Sequence, residues 1–317
     1  MSEHEPRQPG PIGHEPKWNE SMYVFWRDPG TGISGWTRIA QQPNQAATST
    51  FVCVARPSGH RYRHFELGAY AEGHRGSERW RGEGLEFWWE DDVLHVRYES
   101  SDCAFDLEWR GFYEPVDFHA LMATFVEDLG EINAQHVEQS GSVTGTVRVG
   151  EVEATVDAMG HRDHSWGHRD TGRMLTSRWM IGCTGPELAW SGVAVLLDSG
   201  RLITTGFVVR DGEVIPVRDL GVTLATREDG LSYTTAVAHF ELIDDTSLDV
   251  TLEDVMVGGV LEVPPWVGIE TTGVARVGGR LGIGNCETAN NITGGSTTPP
   301  MLVTGGAVGQ GLSGPSA

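Results

Sequence analysis

The chain has 317 residues, 39% of them apolar and 21% charged, the balance of a folded chain rather than a disordered or membrane-spanning one. Its 23 Lys and Arg against 44 Asp and Glu leave a formal charge of −21, a field that repels phosphate backbones and anionic headgroups, so nucleic acid is excluded as a partner. Lys17 is the only lysine, which removes Schiff-base and P-loop chemistry from the body of the chain. No apolar run reaches the length of a spanning helix and the opening residues lack a signal-peptide core, so no integral membrane segment and a cytoplasmic address are expected. Cys53, Cys103, Cys183 and Cys286 lie far apart without a CxxC pair. They are expected to be buried reduced thiols, not zinc or redox ligands.

Residues 1–18 are rich in Pro, Gly, Glu and His without apolar periodicity and read as a disordered arm. From there the pattern is that of strands, with Val, Thr and aromatic runs broken by turn signals about every eight to twelve residues. His60-Arg61-Tyr62-Arg63-His64 reads as a solvated strand edge. Phe87 to Glu90 and Val93 to Tyr98 flank Asp91-Asp92 as a hairpin, and Phe105 to Trp109 supplies a further strand. Between Val116 and Leu129 the apolar residues recur at three and four, which predicts a short helix. Ser140-Gly141 marks the expected division of the chain. The resulting plan is an N-terminal β-domain over 19–140, a C-terminal β-domain over 141–304 and a flexible Gly/Ser-rich tail over 305–317.

Beyond that division, Val143, Val147 and Val149 share parity before Gly150-Glu151, and Val152 to Ala158 alternate after it, so each strand offers one apolar face. Asp211-Gly212 joins Leu202–Arg210 to Glu213–Val217, and Asp229-Gly230 joins Val222–Glu228 to Leu231–His239, both as type I′ hairpins. Gly278-Gly279 is a hairpin leading into a last strand that ends near Glu287, because no β-α unit surrounds it to make a dinucleotide site. The fold class predicted is mostly β: two consecutive antiparallel barrels or sandwiches with at most one or two short helices. Trp88, Trp89, Trp109, Trp179, Trp190 and Trp266 would serve to line an apolar cavity, but in β-domains such residues are more often ordinary core.

One stretch departs from this plain β pattern. His161-Arg162-Asp163-His164-Ser165-Trp166-Gly167-His168-Arg169-Asp170 packs three His, two Arg, two Asp and a Trp into ten residues, where a clean apolar alternation stops. If the strand continues, period two puts Arg162, His164 and Trp166 on one face and Asp163 and Ser165 on the other. Burying so many ionisable groups is costly unless each has a partner, so the run is a polar plug or a site. A carboxylate beside a cation and an indole suits proton transfer, with the indole able to stabilise a cation. The His164–His168 spacing would suit a metal on a helix, but Ser165-Trp166-Gly167 is poor helix material and no metal is expected.

These residues carry a resemblance. Asp163-His164-Ser165-Trp166-Gly167 resembles the Asp-His-Asn-Trp-Gly motif of the carotenoid 1,2-hydratase (hydroxyneurosporene synthase), AttH-like superfamily, which includes kievitone hydratase-like enzymes and fungal decalin-forming Diels-Alderases. The likeness extends from His136-Val137-Glu138-Gln139 through Gly206 to Glu213, and in the first half rests only on Asn19-Glu20-Ser21 and the aromatic strands. It implies two lipocalin-like (calycin) domains enclosing an apolar substrate, and chemistry by protonation of a C=C bond followed by water attack. Carried over by motif position, it implies His164 and Trp166 as pocket residues and Asp163 as the acidic member; these three are expected to be catalytic, and the rest of the charged run, His161, Arg162, Ser165, His168, Arg169 and Asp170, to surround the substrate. Ser165 stands where the motif has Asn and Arg162 where many relatives have His. A guanidinium beside Asp163 favours its carboxylate form and shifts the donor's role towards His164. A second acid is expected from Glu187 or Asp198.

Two functions are therefore in contention: a cofactor-free hydratase, dehydratase or isomerase acting on a terpenoid, steroid or polyketide-like substrate, and a non-catalytic lipocalin-like carrier of such a molecule. In both, the partner is a hydrophobic small molecule.

Overall fold

Alternating apolar residues, with Gly and Asp at the turns, leave this chain little alternative to antiparallel strands. The computed structural model describes residues 5–75, 78–118, 121, 133–228, 232–263, 266–291 and 311–313. Within these residues the chain divides into two compact units, and the division falls after Asp170.

The first unit is a curled sheet. Its strands are β1 (Trp18–Arg27), β2 (Ser34–Gln42), β3 (Ala47–Ala55), β4 (Arg61–Ala69), β5 (Arg79–Arg81), β6 (Leu85–Glu90), β7 (Val93–Glu99), β8 (Cys103–Gly111), β9 (Val116–Asp117), β10 (Asn133–Val149) and β11 (Val152–Arg169). The order across the sheet is β4-β3-β2-β1-β11-β10-β8-β7-β6-β5, with β9 pairing β10. Leu94, Val96 and Tyr98 of β7 and Phe105, Leu107 and Trp109 of β8 turn inward, as do Val143, Val147 and Val149 of β10, and they share one core with Val24 and Trp26 of β1. In β11 the inward residues are the even-numbered Val156 and Ala158. The same parity runs on into Arg162, His164 and Trp166, so the apolar pattern of one half of the strand aims the polar half.

The second unit is a closed barrel of β12 (Met174–Gly185), β13 (Leu188–Leu197), β14 (Leu202–Arg210), β15 (Glu213–Thr226), β16 (Tyr233–Leu242), β17 (Ser247–Val263), β18 (Trp266–Val277) and β19 (Arg280–Asn291). It closes where β12 pairs β19, Thr176 opposite Asn290. Asp211 (φ 50°) and Gly212 (φ 84°) make the β14–β15 turn with both central residues left-handed, as a type I′ hairpin requires. The mostly β, two-part lipocalin-like fold is thus as expected from the sequence.

Several details are not. The division at Ser140-Gly141 is corrected: that pair lies inside β10, which runs unbroken to Val149 and pairs with β8 and β11. The motif strand therefore belongs to the first unit, because β11 also pairs with β1 along its whole polar half, Trp18 opposite His168 through Phe25 opposite His161. Residues 5–17, expected as a disordered arm, are tied down. Arg75 donates to the Gly10 carbonyl at 2.6 Å, Asn44 donates to the Gly13 and Glu15 carbonyls, and Arg7 pairs with Asp92. In the expected tail, Gly311–Ser313 form β20, paired with β4. That strand covers the His60–His64 cluster, where Tyr62 and Arg63 are buried rather than solvated. Val222 continues β15 instead of opening a new strand. Val116 and Asp117, expected to open a helix, instead form β9 on β10; the rest of that segment, apart from Phe118 and Leu121, and the Asp229-Gly230 turn lie outside the described residues.

All four cysteines are free and buried. Burial pushes the Cys286 thiol up to about 12 and raises Cys103 further. Among the described residues no helix is long and apolar enough to cross a membrane.

Candidate functional site

His161, Arg162, Asp163, His164 and Ser165 are all buried, and the strand sorts them onto two faces. The inner face holds His164 between two carboxylates: Nδ1 lies 3.1 Å from Glu5 Oε1 and Nε2 lies 3.2 Å from Glu20 Oε1. A neutral imidazole has only one N–H, so both contacts are satisfied together only by the imidazolium. Burial disfavours that cation, but the hydrogen bonds it donates to Glu20 and Glu5 outweigh this and raise the His164 pKa above its ordinary 6.5. Glu20 is correspondingly lowered: burial would raise it, and His164 together with Arg75 more than reverses this. Arg75 pairs with Glu20 and lies over the Trp18 ring, 5.0 Å from its centroid.

Arg162, next but one along the strand, completes this face. Its two terminal nitrogens grip Glu5 in a fork, at 2.5 Å to Oε1 and 2.8 Å to Oε2. Its Nε and one terminal nitrogen also donate to the Gln139 amide oxygen, at 3.0 and 2.7 Å. The guanidinium sits 5.0 Å from the ring centroids of both Trp89 and Trp109. Burial opposes the charge on Glu5, but Arg162 and His164 outweigh it and hold the Glu5 pKa at about 2. Trp80 meets the His164 ring edge-on, with centroids 5.4 Å apart, and Trp166 lies 4.9 Å from it. The result is a cationic pair on a wall of indoles.

The outer face carries a different network. His136 Nε2 is 3.0 Å from Asp163 Oδ2 and 3.3 Å from Glu138 Oε1. His161 lies between Glu138 Oε2 and Ser140 Oγ, both at 3.1 Å. Ser165 meets Ser21 at 2.8 Å, and Arg169 donates to both hydroxyls. Burial would raise Asp163, but His136 and then Arg169 reverse this and lower its pKa; His136 is raised in turn, the attraction of Asp163 exceeding the cost of its own burial.

Asp163, expected beside His164 as a catalytic partner, therefore stands back to back with it. Neighbours along a strand point to opposite faces, and its carboxylate is held ionised by His136, so it has no proton to give. Arg162 is not its partner either; that guanidinium faces Glu5. Of the residues expected around a substrate, Arg162 shares the face of His164, whereas His161, Ser165 and Arg169 lie on the other. His168 and Asp170 sit at the strand's end, Asp170 bound to Lys17 at 2.7 Å. His164 and His168 are four strand residues apart, about 13 Å, too far to share a metal. Glu187 and Asp198 are exposed at barrel turns of the second unit, Asp198 facing Arg173. The acids the first unit itself brings to His164 are Glu5 and Glu20.

Glu20 carried a sequence signal, being an isolated carboxylate in an aromatic strand. Glu5, in a segment without periodicity, carried none. Trp80, Arg75 and Gln139 are likewise recognisable only once the sheet has curled.

A curled sheet followed by a closed barrel, with a buried ionic cluster on one strand of the sheet, defines a two-part lipocalin-like protein. The fold is shared with solved structures. An AttH-like protein from Nitrosomonas europaea is 13% identical with a TM-score of 0.66, over 89% of this chain and 94% of that one. CghA bound to Sch210972 is 11% identical with a TM-score of 0.61, over 88% and 90%. Kievitone hydratase from Nectria haematococca is 11% identical with a TM-score of 0.60, over 86% and 88%. No curated protein sequence matches. The chain belongs to the family described as a domain of unknown function, DUF7064, which matches residues 1–292.

Proposed function

We propose that the chain is a cofactor-free acid–base enzyme, a hydratase, dehydratase or isomerase, acting on a C=C bond of a lipophilic molecule at the inner face of β11. The observation that carries this reading is His164: a buried imidazolium held by two carboxylates and flanked by Trp80 and Trp166. The likeness in fold to kievitone hydratase supports it as precedent only, since a fold does not assign a function.

In this reading His164 delivers a proton from a ring nitrogen to one alkene carbon, and the π-electrons form the new C–H bond. The neighbouring carbon becomes a cation facing the indoles, whose π-faces stabilise positive charge. Water then attacks that carbon and returns a proton to the imidazole, so water is added across the double bond and His164 is restored. Loss of a different C–H proton to the imidazole instead moves the double bond. Glu20 holds the ring in place and stabilises its charged form. Asp163 belongs, in this scheme, to the buried pair with His136 behind the strand.

The test is incubation of the full chain in D2O with a panel of unsaturated terpenoid, steroid and polyketide-like compounds. Carbon-bound deuterium, with or without the added mass of water, is expected from the wild type and lost in His164→Gln. Deuterium incorporation at the wild-type rate by a folded His164→Gln refutes the assignment. A carrier would return its ligand without carbon-bound deuterium, and this outcome across the panel favours the binding module instead.

A further inference from the structure

Arg162 is built into the fold in a way that leaves its charge unbalanced by the fold itself. It projects from the middle of β11 into the aromatic core and its side chain is almost fully buried. The strand framework offers it a neutral partner, the Gln139 amide oxygen, and the faces of Trp89 and Trp109. The nearby carboxylates of β10 and β11, Glu138 and Asp163, lie on the other face with His161 and His136. A buried guanidinium needs an anion, and among the described residues the one it has is Glu5, 157 residues away in sequence and outside every strand.

The segment bearing Glu5 is held by side chains and not by strand pairing. Its anchors include Arg7, which pairs with Asp92, donates to the Asp91 carbonyl and lies over Trp89, and side chains donating to the carbonyls of Gly10, Gly13 and Glu15. Exposed pairs of this kind contribute little. Within it, the Glu5 carboxylate receives a two-pronged grip from Arg162 and a third contact from His164 Nδ1. This is the geometry with which proteins recognise planar carboxylates, here supplied from within the chain.

We propose that Arg162 is the receptor for the carboxylate of an amphipathic ligand, whose apolar body lies along Trp80, Trp89 and Trp109, and that Glu5 is a tethered stand-in which such a ligand displaces. Displacement frees His164 Nδ1 from Glu5 and turns it towards the incoming molecule. The substrate class thereby narrows from lipophilic compounds in general to unsaturated carboxylic acids. The inference rests on the inner face of β11 being the ligand site, but its test reads binding and not turnover, so it can fail while the acid–base reading stands, and the reverse.

The experiment compares wild type and Glu5→Ala, each as the full chain, by isothermal titration calorimetry and tryptophan quenching with octanoate, octanol and propionate. A tethered competitor acts at an effective concentration in the mM range, so removing it is expected to tighten octanoate binding by about tenfold or more. Octanol should bind both proteins weakly and alike, and propionate should bind Glu5→Ala more weakly than octanoate does. Should Glu5→Ala fail to fold, Glu5→Gln, which keeps the shape and removes the charge, is read in the same assay. Equal octanoate affinity in wild type and variant, or octanol binding as tight as octanoate, overturns the receptor. Propionate binding as tight as octanoate overturns the apolar half of the proposal.

Discussion

Replacing Glu20 by Gln tests the inner network at the point where most depends on one side chain. Glu20 is 2% exposed and serves both His164 Nε2 and Arg75. The amide keeps the shape and removes the charge, leaving two cations against a neutral group. Breaking a buried ion pair by removing one partner costs about 3–5 kcal/mol. His164 can relieve part of this by shedding its proton, because one of the interactions raising its pKa is gone, whereas Arg75 cannot. The loss is therefore placed at the lower end, about 3 kcal/mol near neutral pH. For a unit of this size each kcal/mol lowers the melting temperature by about 2–4 °C, so the transition of the first unit should fall by about 6–12 °C in differential scanning calorimetry. Glu253→Gln, which removes an exposed partner of Arg276 in the second unit, serves as control and should change stability by no more than about 0.5 kcal/mol. A Glu20→Gln transition within about 1 °C of wild type would refute the claim that this carboxylate balances buried charge.

The histidine shifts set a pH dependence with a definite sign. His164 and His136 are raised above 6.5 in the folded state, so their contribution is complete below about pH 6.5 and is lost as pH rises through the folded values. Glu5 and Glu20 are lowered, so theirs is present above about pH 4.5 and lost only as pH falls through the folded values, about 2 for Glu5. The melting temperature of the first unit should thus peak between about pH 5 and 6.5 and decline towards alkali, each histidine contributing a slope of up to about 1.4 kcal/mol per pH unit. A maximum above about pH 8 contradicts this. Gly160→Ala should cost about 1–3 kcal/mol and disturb the site, since a Cβ there would stand 2.5 Å from the Phe25 carbonyl oxygen and push β11 off β1; unchanged stability and octanoate binding would show that the strands yield freely. The four buried cysteines should resist a thiol reagent until the chain unfolds, and rapid labelling of the native protein would contradict their burial.

Local regularities were enough to define the strands, their turns and the sorting of residues along β11. Period two places Arg162, His164 and Trp166 together and Asp163 opposite them, from spacing alone, and Asp-Gly at 211–212 dictates its own hairpin. The all-β class follows from the same short-range signals. What spacing does not contain is which strands become neighbours. Ser140-Gly141 looks like a turn in one dimension and is mid-strand in three, because β10 gains partners on both sides that offset the weak strand propensity of a Ser-Gly pair.

The charged run likewise announced a site without naming its members. Arg162 and Asp163 are adjacent in sequence and would be taken as a pair, yet the pleat turns them apart. Their partners, Glu5 for Arg162 and His136 for Asp163, come from a segment with no periodicity and from a neighbouring strand. An ion pair is decided by distance and burial, and both are properties of the folded chain. Sequence alone therefore determined which side chains of β11 share a face; the tertiary structure decided what faces them, because charges buried by the curling of the sheet must find compensation wherever the chain can bring it.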